Sequence, residues 1–251
     1  MREKGLIFNS EMVRAILDGR KTQTRRIMAP QPADDIERGI FPNPEVIGWK
    51  SSRRHKHGST TAHFCHYGKP GDRIWVRETW GVVSHAFSDD GLMIDWVPDR
   101  PATAIHEMPF GNGYYSGYAI YAADGDFTWG DDDGYEDGRS CWKPSIHMPR
   151  AASRILLEIT DVRVERLNAI SPEDAESEGL ERTNFTGFGD EPGLPSYPEP
   201  DVYFDPLKKQ WKEYPPEAFA GLWESIYGEG SWQANPWVWV IKFKRVEGDA
   251  A

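Results

Sequence analysis

The most informative stretch of this sequence lies near its start and reads Gly19-Arg20-Lys21-Thr22-Gln23-Thr24-Arg25-Arg26. It follows a segment that begins with Ser10, a favourable helix N-cap, and that places apolar residues on one helical face. Gly19 suits the position just after a helix, where the backbone often adopts a positive φ. The pattern predicts a helix of about ten residues that ends before the basic run and holds that run in a defined place.

Outward from this stretch, the chain reads as short strands separated by long connections. Residues 154–167 alternate apolar and polar side chains, which is the clearest strand pattern in the sequence. Helices are predicted near residues 171–179, where Ser171 and Pro172 form an N-terminal cap, and over residues 216–227. Further strands are predicted at residues 5–8, 74–77, 118–122 and 237–246. This order favours an α+β fold over a doubly wound sheet, which requires regular alternation of strands and helices.

Several segments without hydrophobic periodicity interrupt this pattern. A chain of 251 residues is compatible with one domain, residues 1–251, that carries insertions. The candidate insertions are rich in Pro, Gly or acidic residues, so we expect loops there, with room for one hairpin in the first. They span about residues 30–66, 84–113, 124–140 and 182–215.

Composition excludes some classes of function. The formal net charge of −11 makes duplex DNA an unlikely partner, since affinity for phosphates depends on clustered Lys and Arg. No run approaches the roughly 18 apolar residues that cross a bilayer. The sequence has two cysteines and no secretory signal pattern in its first residues. We therefore expect a cytoplasmic protein that does not enter membranes.

The basic run resembles the signature of the ASCH family, Gly-x-Lys-x-x-Glu-x-Arg, at Gly19, Lys21 and Arg26. Thr24 stands where many members have Glu, and the same substitution occurs in the branch of N4-acetylcytidine amidohydrolases. Two later segments, residues 67–80 and 142–150, are similar to phage and prophage members of the family. The resemblance implies a PUA-like β-barrel with a few flanking helices and a cleft near Lys21 that receives a nucleobase or nucleoside.

The same resemblance implies a catalytic site. In the amidohydrolase branch a Lys, a Thr and a distant Glu are implicated, and these are expected here as Lys21, Thr24 and Glu78. Lys21 takes a proton either from Thr24, which then attacks an amide carbonyl, or from a water that Thr24 positions. Glu78 orients the amine or handles the leaving group. Both choices of nucleophile stay open.

Two physical conditions accompany this hypothesis. A free Lys titrates at about 10.4, so Lys21 acts as a base only if burial or neighbouring cations lower its pKa, and Arg20, Arg25 and Arg26 are candidates for that role. In a regular strand, positions 21 and 24 face opposite sides. We therefore expect irregular backbone, a turn or a bulge, after Gly19.

Further residues are candidates for substrate binding, either by stacking on a base or by contacting a phosphate. Aromatic rings at strand ends are also typical of a core. No metal or cofactor is expected, because the histidine and cysteine cluster matches no paired zinc-ligand spacing and the acidic run near residues 124–133 does not match a calcium-binding loop. The substrate-binding candidates are Arg26, Trp80, Tyr121, His147 and Arg150, and the cluster consists of His55, His57, His63, Cys65 and His66.

Three functions are compatible with these observations. The first is an amidohydrolase that removes an acyl group from a modified cytidine or related nucleoside. The second is a non-catalytic protein that binds RNA or single-stranded DNA, for which the basic run and the PUA-like resemblance argue. The third is a metal-dependent ribonuclease, since the family is thought to include nucleases. The acidic balance favours a nucleoside or short single strand as the partner, and the oligomeric state stays open.

Overall fold

Strands dominate the computed structural model, which describes residues 1–43, 46–54, 61–88, 90–129, 141–183 and 202–246. Within these residues the α-helices are Ser10–Leu17 (α1), Pro172–Ser177 (α2) and Pro215–Tyr227 (α3). The strands are, in chain order, Glu3–Ile7 (β1), Gln23–Ile27 (β2), Glu37–Arg38 (β3), Trp49–Ser51 (β4), Thr61–His63 (β5), Arg73–Arg77 (β6), Trp80–Val83 (β7), His85–Phe87 (β8), Met93–Asp95 (β9), Thr103–Phe110 (β10), Gly113–Tyr121 (β11), Leu156–Arg166 (β12), Arg182–Thr183 (β13), Val202–Asp205 (β14), Gln210–Lys212 (β15) and Trp237–Arg245 (β16).

The three helices lie where the sequence predicts them. α1 begins at Ser10 and is followed by Gly19, whose φ of 76° is in the left-handed region that glycine tolerates. At the start of α2, the Ser171 hydroxyl oxygen accepts a hydrogen bond from the Asp174 backbone N–H at 3.2 Å, and Pro172 is the first helical residue. The predicted cap at Ser171 therefore forms, whereas α1 is capped by Asn9 rather than by Ser10, since the Asn9 side-chain oxygen accepts a hydrogen bond from the Met12 backbone N–H at 2.8 Å.

The chain divides into two compact units, each assembled from separate segments. The first consists of Met1–Leu17, Gly71–Glu158 and Lys244–Ala251, and the second of Asp18–Pro70 and Ile159–Phe243. Strand β12 begins in the first unit and continues in the second. The expectation of a single domain with insertions stays a prediction.

In the first unit, β1 runs parallel to β6, and β6 pairs antiparallel with the first residues of β12. A second sheet has the order β10-β11-β7, and β8 and β9 form a separate hairpin. One face of the β10-β11-β7 sheet packs into an apolar cluster, which excludes water from large side chains and stabilises the unit. The buried members of this cluster are Trp80, Ile105, Met108, Ala119, Tyr121, Met148 and Ala152.

In the second unit, β2 pairs antiparallel with β16, which also neighbours β12. Two small sheets, β3-β4-β5 and β13-β14-β15, belong to the same unit. Helix α3 presents Phe219, Leu222 and Trp223 to a core that also contains Val238 and Val240 of β16. The alternation along β16 thus buries one side of the strand against α3.

These elements make the protein a mixed α+β structure, as predicted. Among the described strands no sheet closes on itself, since each sheet has two different edge strands. Closure into a barrel would require hydrogen bonds between those edges. Across the described residues, none of the helices has the length and apolar character that spanning a bilayer requires.

The loop predictions hold only in part. Residues 30–66 contain the short strands β3, β4 and β5, and the antiparallel pair β4–β5 agrees with the hairpin expected there. Residues 84–113 contain β8, β9 and all of β10, so the prediction of loop is wrong for that segment. A register shift between Ile105 and Met108, together with Pro109, hid the alternation of β10. Residues 130–140 and 184–201, within the other two insertions, lie outside the described residues, whereas β14 and β15 occupy part of residues 202–215.

Candidate functional site

Lys21 and Glu178 form a buried ion pair in the second unit. The Lys21 Nζ donates a hydrogen bond to Glu178 Oε2 at 2.9 Å and another to the Glu178 backbone carbonyl at 2.8 Å. The Lys21 side chain is 0% exposed and the Glu178 side chain 3% exposed. Water therefore screens this pair little, and the charged forms depend on each other and on the surrounding protein groups.

The protonation of Lys21 is perturbed in the direction that a base requires. Burial lowers the pKa of Lys21 below its ordinary value, because the charged ammonium loses its hydration. The charge and hydrogen bond of Glu178 oppose this effect, whereas the cations of Arg26 and Arg25 lower the pKa further. Of the three arginines predicted to lower this pKa, Arg25 and Arg26 do so, whereas Arg20 binds Asp18 and the Gly179 and Leu180 carbonyls.

Arg25 holds the other oxygen of the same carboxylate. Its Nη1 donates to Glu178 Oε1 at 2.9 Å, and its Nη2 donates to Glu165 and Asp174, each at 3.1 Å. The Arg25 side chain is 0% exposed. Glu178 is thus clamped between two cations, one on each carboxylate oxygen.

Strand β2 explains how these groups meet. Lys21, Gln23 and Arg25 alternate along extended backbone, and all three contact α2 or the residue after it; Gln23 Nε2 donates to the Asp174 carbonyl at 2.7 Å. This face of β2 therefore points toward α2. Glu178, the residue that follows α2, forms a β-bridge with Lys21 and therefore lies next to this face of the strand.

Thr24 lies on the opposite face of β2 from Lys21. The register runs without interruption from Gln23 opposite Lys242 to Ile27 opposite Val238. The expected turn or bulge after Gly19 is therefore wrong for this segment, because β16 and the end of α2 satisfy the backbone hydrogen bonds of an extended chain. By alternation, Thr24 shares its face with Arg26.

The surroundings of Thr24 are correspondingly different from those of Lys21. Thr24 is buried and lies opposite Ile241, while Arg26 is half-buried and lies opposite Trp239. Trp239 packs edge-on against Trp49, with ring centroids 5.0 Å apart. The structure thus brings Lys21 together with a glutamate, but not with the Thr24 hydroxyl.

Glu78 belongs to the first unit and has a different cationic partner. Both of its carboxylate oxygens accept hydrogen bonds from Arg154, at 3.0 and 2.9 Å, and Arg154 also binds Asp124 at 2.7 Å. Burial raises the pKa of Glu78, against the hydrogen bonds and charge of Arg154. The carboxylate bonded to Lys21 is that of Glu178, and the expected role of Glu78 beside Lys21 stays a prediction.

The two aromatic residues expected to stack on a base lie in the core of the first unit. Trp80 and Tyr121 are both 0% exposed and belong to its apolar cluster. The Tyr121 hydroxyl donates to the Ala152 carbonyl at 3.0 Å, and Arg154 lies 3.9 Å above the Tyr121 ring. Their ring faces are occupied by protein, so the structure does not present them as stacking surfaces.

His147 and Arg150, in contrast, are exposed. Arg150 donates to Glu3 at 3.1 Å and lines a cavity of about 420 Å³ in the first unit, together with Ser153, Arg154 and residues 103–109. A cavity of this size falls within the range for small ligands. Arg150 is therefore a predicted binding residue that the structure places at a cavity of the first unit.

The predicted absence of a metal site concerns residues 55–66. His55 and His57 lie outside the described residues. The His63 ring shares a hydrogen bond of 2.9 Å with the Ser51 hydroxyl. In the part of the chain that the structure describes, no three His, Cys, Asp or Glu side chains are grouped as metal ligands would be.

Glu178 is the residue that sequence analysis missed. One signal was available, because Glu178 stands at the C-terminal end of a predicted helix, where the partial negative charge of the helix disfavours an acid. An acid in that position requires a compensating cation. The 157-residue separation from Lys21 concealed which cation supplies it.

Comparisons with models of protein families, with curated proteins and with solved structures give no match for this chain.

Proposed function

We propose that this protein hydrolyses the amide of an N4-acylated cytidine or a related nucleoside, with Lys21 as the proton-transfer residue and Glu178 as its carboxylate partner. The observation that carries the proposal is the 2.9 Å contact between the Lys21 ammonium and the Glu178 carboxylate in a buried environment. A buried lysine whose pKa is lowered and whose ammonium contacts a carboxylate is typical of catalytic sites. The resemblance to ASCH amidohydrolases at Gly19, Lys21, Thr24 and Arg26 supplies the reaction class.

The chemistry uses Lys21 as the neutral amine, which forms when its ammonium releases a proton to solvent. The amine accepts a proton from a water molecule as the water oxygen bonds to the acyl carbon. The resulting ammonium, held by the Glu178 carboxylate, donates this proton to the nitrogen as the C–N bond breaks. The products are a carboxylic acid and the free amine of the base, and Lys21 returns to the neutral amine.

Two consequences follow for the structure. Since the Lys21 side chain is 0% exposed, the substrate reaches it only if part of the surrounding protein moves aside. In this scheme Thr24, which lies on the other face of β2, is not the nucleophile and contributes only to the position of the strand. The PUA-like β-barrel remains part of the same proposal and rests on the family resemblance.

The test is hydrolysis of N4-acetylcytidine by the purified protein, followed as release of cytidine. Glu178→Gln and Glu78→Gln form a matched pair, because both remove one buried carboxylate that binds arginine. We expect Glu178→Gln and Lys21→Met to lower kcat/KM at least about a hundredfold. Glu78→Gln is expected to retain activity in proportion to its folded fraction.

Other outcomes decide between the alternatives. Equal losses in Glu178→Gln and Glu78→Gln, both variants being folded, would remove the assignment of Glu178. No turnover, combined with salt-dependent binding of single-stranded RNA, would favour the non-catalytic binder. Activity lost on chelation of divalent metal would favour the ribonuclease.

A further inference from the structure

We propose that Arg25 is a positioning residue for the Lys21–Glu178 pair, an inference that rests on the proposed function. Arg25 binds the Glu178 oxygen that Lys21 does not bind, and thereby keeps the second oxygen directed at the Lys21 ammonium. It has no place in the family signature, in which this position is unspecified. The inference therefore concerns a feature of this chain.

The geometry restricts the rotation of the carboxylate. A carboxylate bound by a single ammonium is free to turn and present either oxygen, whereas Glu178 is held at both oxygens by contacts of 2.9 Å. Because the guanidinium of Arg25 is planar and rigid, its orientation fixes the orientation of the Glu178 carboxylate that it binds. Arg25 is itself held by Glu165 and Asp174 at 3.1 Å and lies 5.9 Å from the centre of the Phe219 ring.

The second effect of Arg25 is electrostatic. It is one of the cations that lower the pKa of Lys21, and its bond to Glu178 draws negative charge away from the Lys21 ammonium. Both effects increase the neutral amine at a given pH. The charged groups that face the Lys21–Glu178–Arg25 cluster are Arg163 and Glu165 from β12, Asp174 from α2 and Lys242 from β16. Arg26, on the opposite face of β2, acts on Lys21 through its charge.

A matched control is available in Arg163. Its guanidinium binds Glu165 and Asp174, the same two carboxylates that Arg25 binds, but makes no contact with Glu178. Arg163→Met therefore removes a cation from the same network without releasing the Glu178 carboxylate. If Arg25 mattered only through its ion pairs with Glu165 and Asp174, Arg25→Met and Arg163→Met would lower kcat/KM to a similar extent.

The experiment compares wild type, Arg25→Met, Arg25→Lys and Arg163→Met in hydrolysis of N4-acetylcytidine as a function of pH. We expect Arg25→Met to lower kcat/KM about tenfold at neutral pH and to move the alkaline rise of the profile to higher pH. Arg25→Lys retains the positive charge but loses the planar guanidinium that can bind two carboxylates at once. It should leave the dependence of kcat/KM on pH in place and lower kcat/KM about threefold. Arg163→Met should change the rate less than about twofold.

A second measurement separates this inference from the proposed function. Nuclear magnetic resonance of protein with ¹⁵N-labelled lysine reports the titration of Lys21 without substrate, and Lys21→Arg identifies its signal. The Lys21 midpoint should be higher in Arg25→Met than in wild type or Arg163→Met, even if the wild type hydrolyses nothing. An unchanged midpoint would overturn the inference. If Arg25→Met does not fold, a rate and profile of Arg25→Lys equal to wild type would overturn it as well.

Discussion

Lys21 and Glu178 are 157 residues apart in the sequence, yet the Lys21 Nζ lies 2.9 Å from Glu178 Oε2. This contact joins the extended segment before β2 to the end of α2. It defines the candidate site and makes the protonation of one residue depend on the presence of the other. The first two predictions below concern this contact, and the other two concern the stability of α3 and of α2.

The first prediction concerns pH. A lowered pKa means that Lys21 loses its proton at lower pH than an exposed lysine does. If the neutral amine is the base, kcat/KM should rise with pH and reach its plateau before the range in which exposed lysines titrate. Initial rates across the neutral and alkaline range measure this rise. A profile that rises only where exposed lysines titrate would contradict the lowered pKa.

The second prediction compares the two sides of the ion pair. Lys21→Met leaves Glu178 with Arg25 as a partner, whereas Glu178→Leu leaves two buried cations without their shared carboxylate. We expect Glu178→Leu to lower the free energy of unfolding by about 3–5 kcal/mol and Lys21→Met by about half of that. Urea denaturation measures both values. An equal loss of unfolding free energy in the two variants would show that Arg25 does not compensate the charge of Glu178 when Lys21 is removed.

The third prediction concerns Gly221 in α3, where a Cβ would lie 1.9 Å from Asp205 Oδ1. Asp205 cannot turn away freely, because this oxygen accepts hydrogen bonds from the Leu207 and Lys208 backbone N–H groups. Gly221→Ala should therefore cost about 1–3 kcal/mol, although alanine favours a helix interior by about 1 kcal/mol over glycine. In an Asp205→Ala background the same change should cost nothing, as thermal unfolding would reveal.

The fourth prediction concerns the N-cap of α2. Ser171→Ala removes the acceptor of the Asp174 backbone N–H and should cost about 1 kcal/mol of stability. Ser171→Asp, which retains an acceptor and favours the helix dipole, should restore that stability. Denaturation of the two variants in parallel gives the comparison. A neutral Ser171→Ala would mean that α2 depends on tertiary contacts alone.

Much of the fold could be predicted because its signals are local. The cap residue Ser171, the glycine after α1 and the alternation along β12 and β16 each report on a few neighbouring residues, and the structure confirms them. The predicted cap at Ser10 is wrong by one residue, because Asn9 accepts the hydrogen bond from the Met12 backbone N–H. Strand β10 could not be predicted, since a bulge and Pro109 break its alternation. Lys21 could be identified as a candidate, but its carboxylate partner could not, because Glu78 and Glu178 both end segments of regular structure.

By itself, then, the sequence determined the helices and most of the long strands, because propensity, capping and periodicity act over one or two turns of chain, whereas Lys21 became a candidate through a resemblance in one short motif. Only the tertiary structure decided that Glu178 meets Lys21, that Arg25 shares this carboxylate, and that Thr24 faces away. The physical reason is that burial and strand register depend on elements far apart in the chain, and they alone set which charges become neighbours.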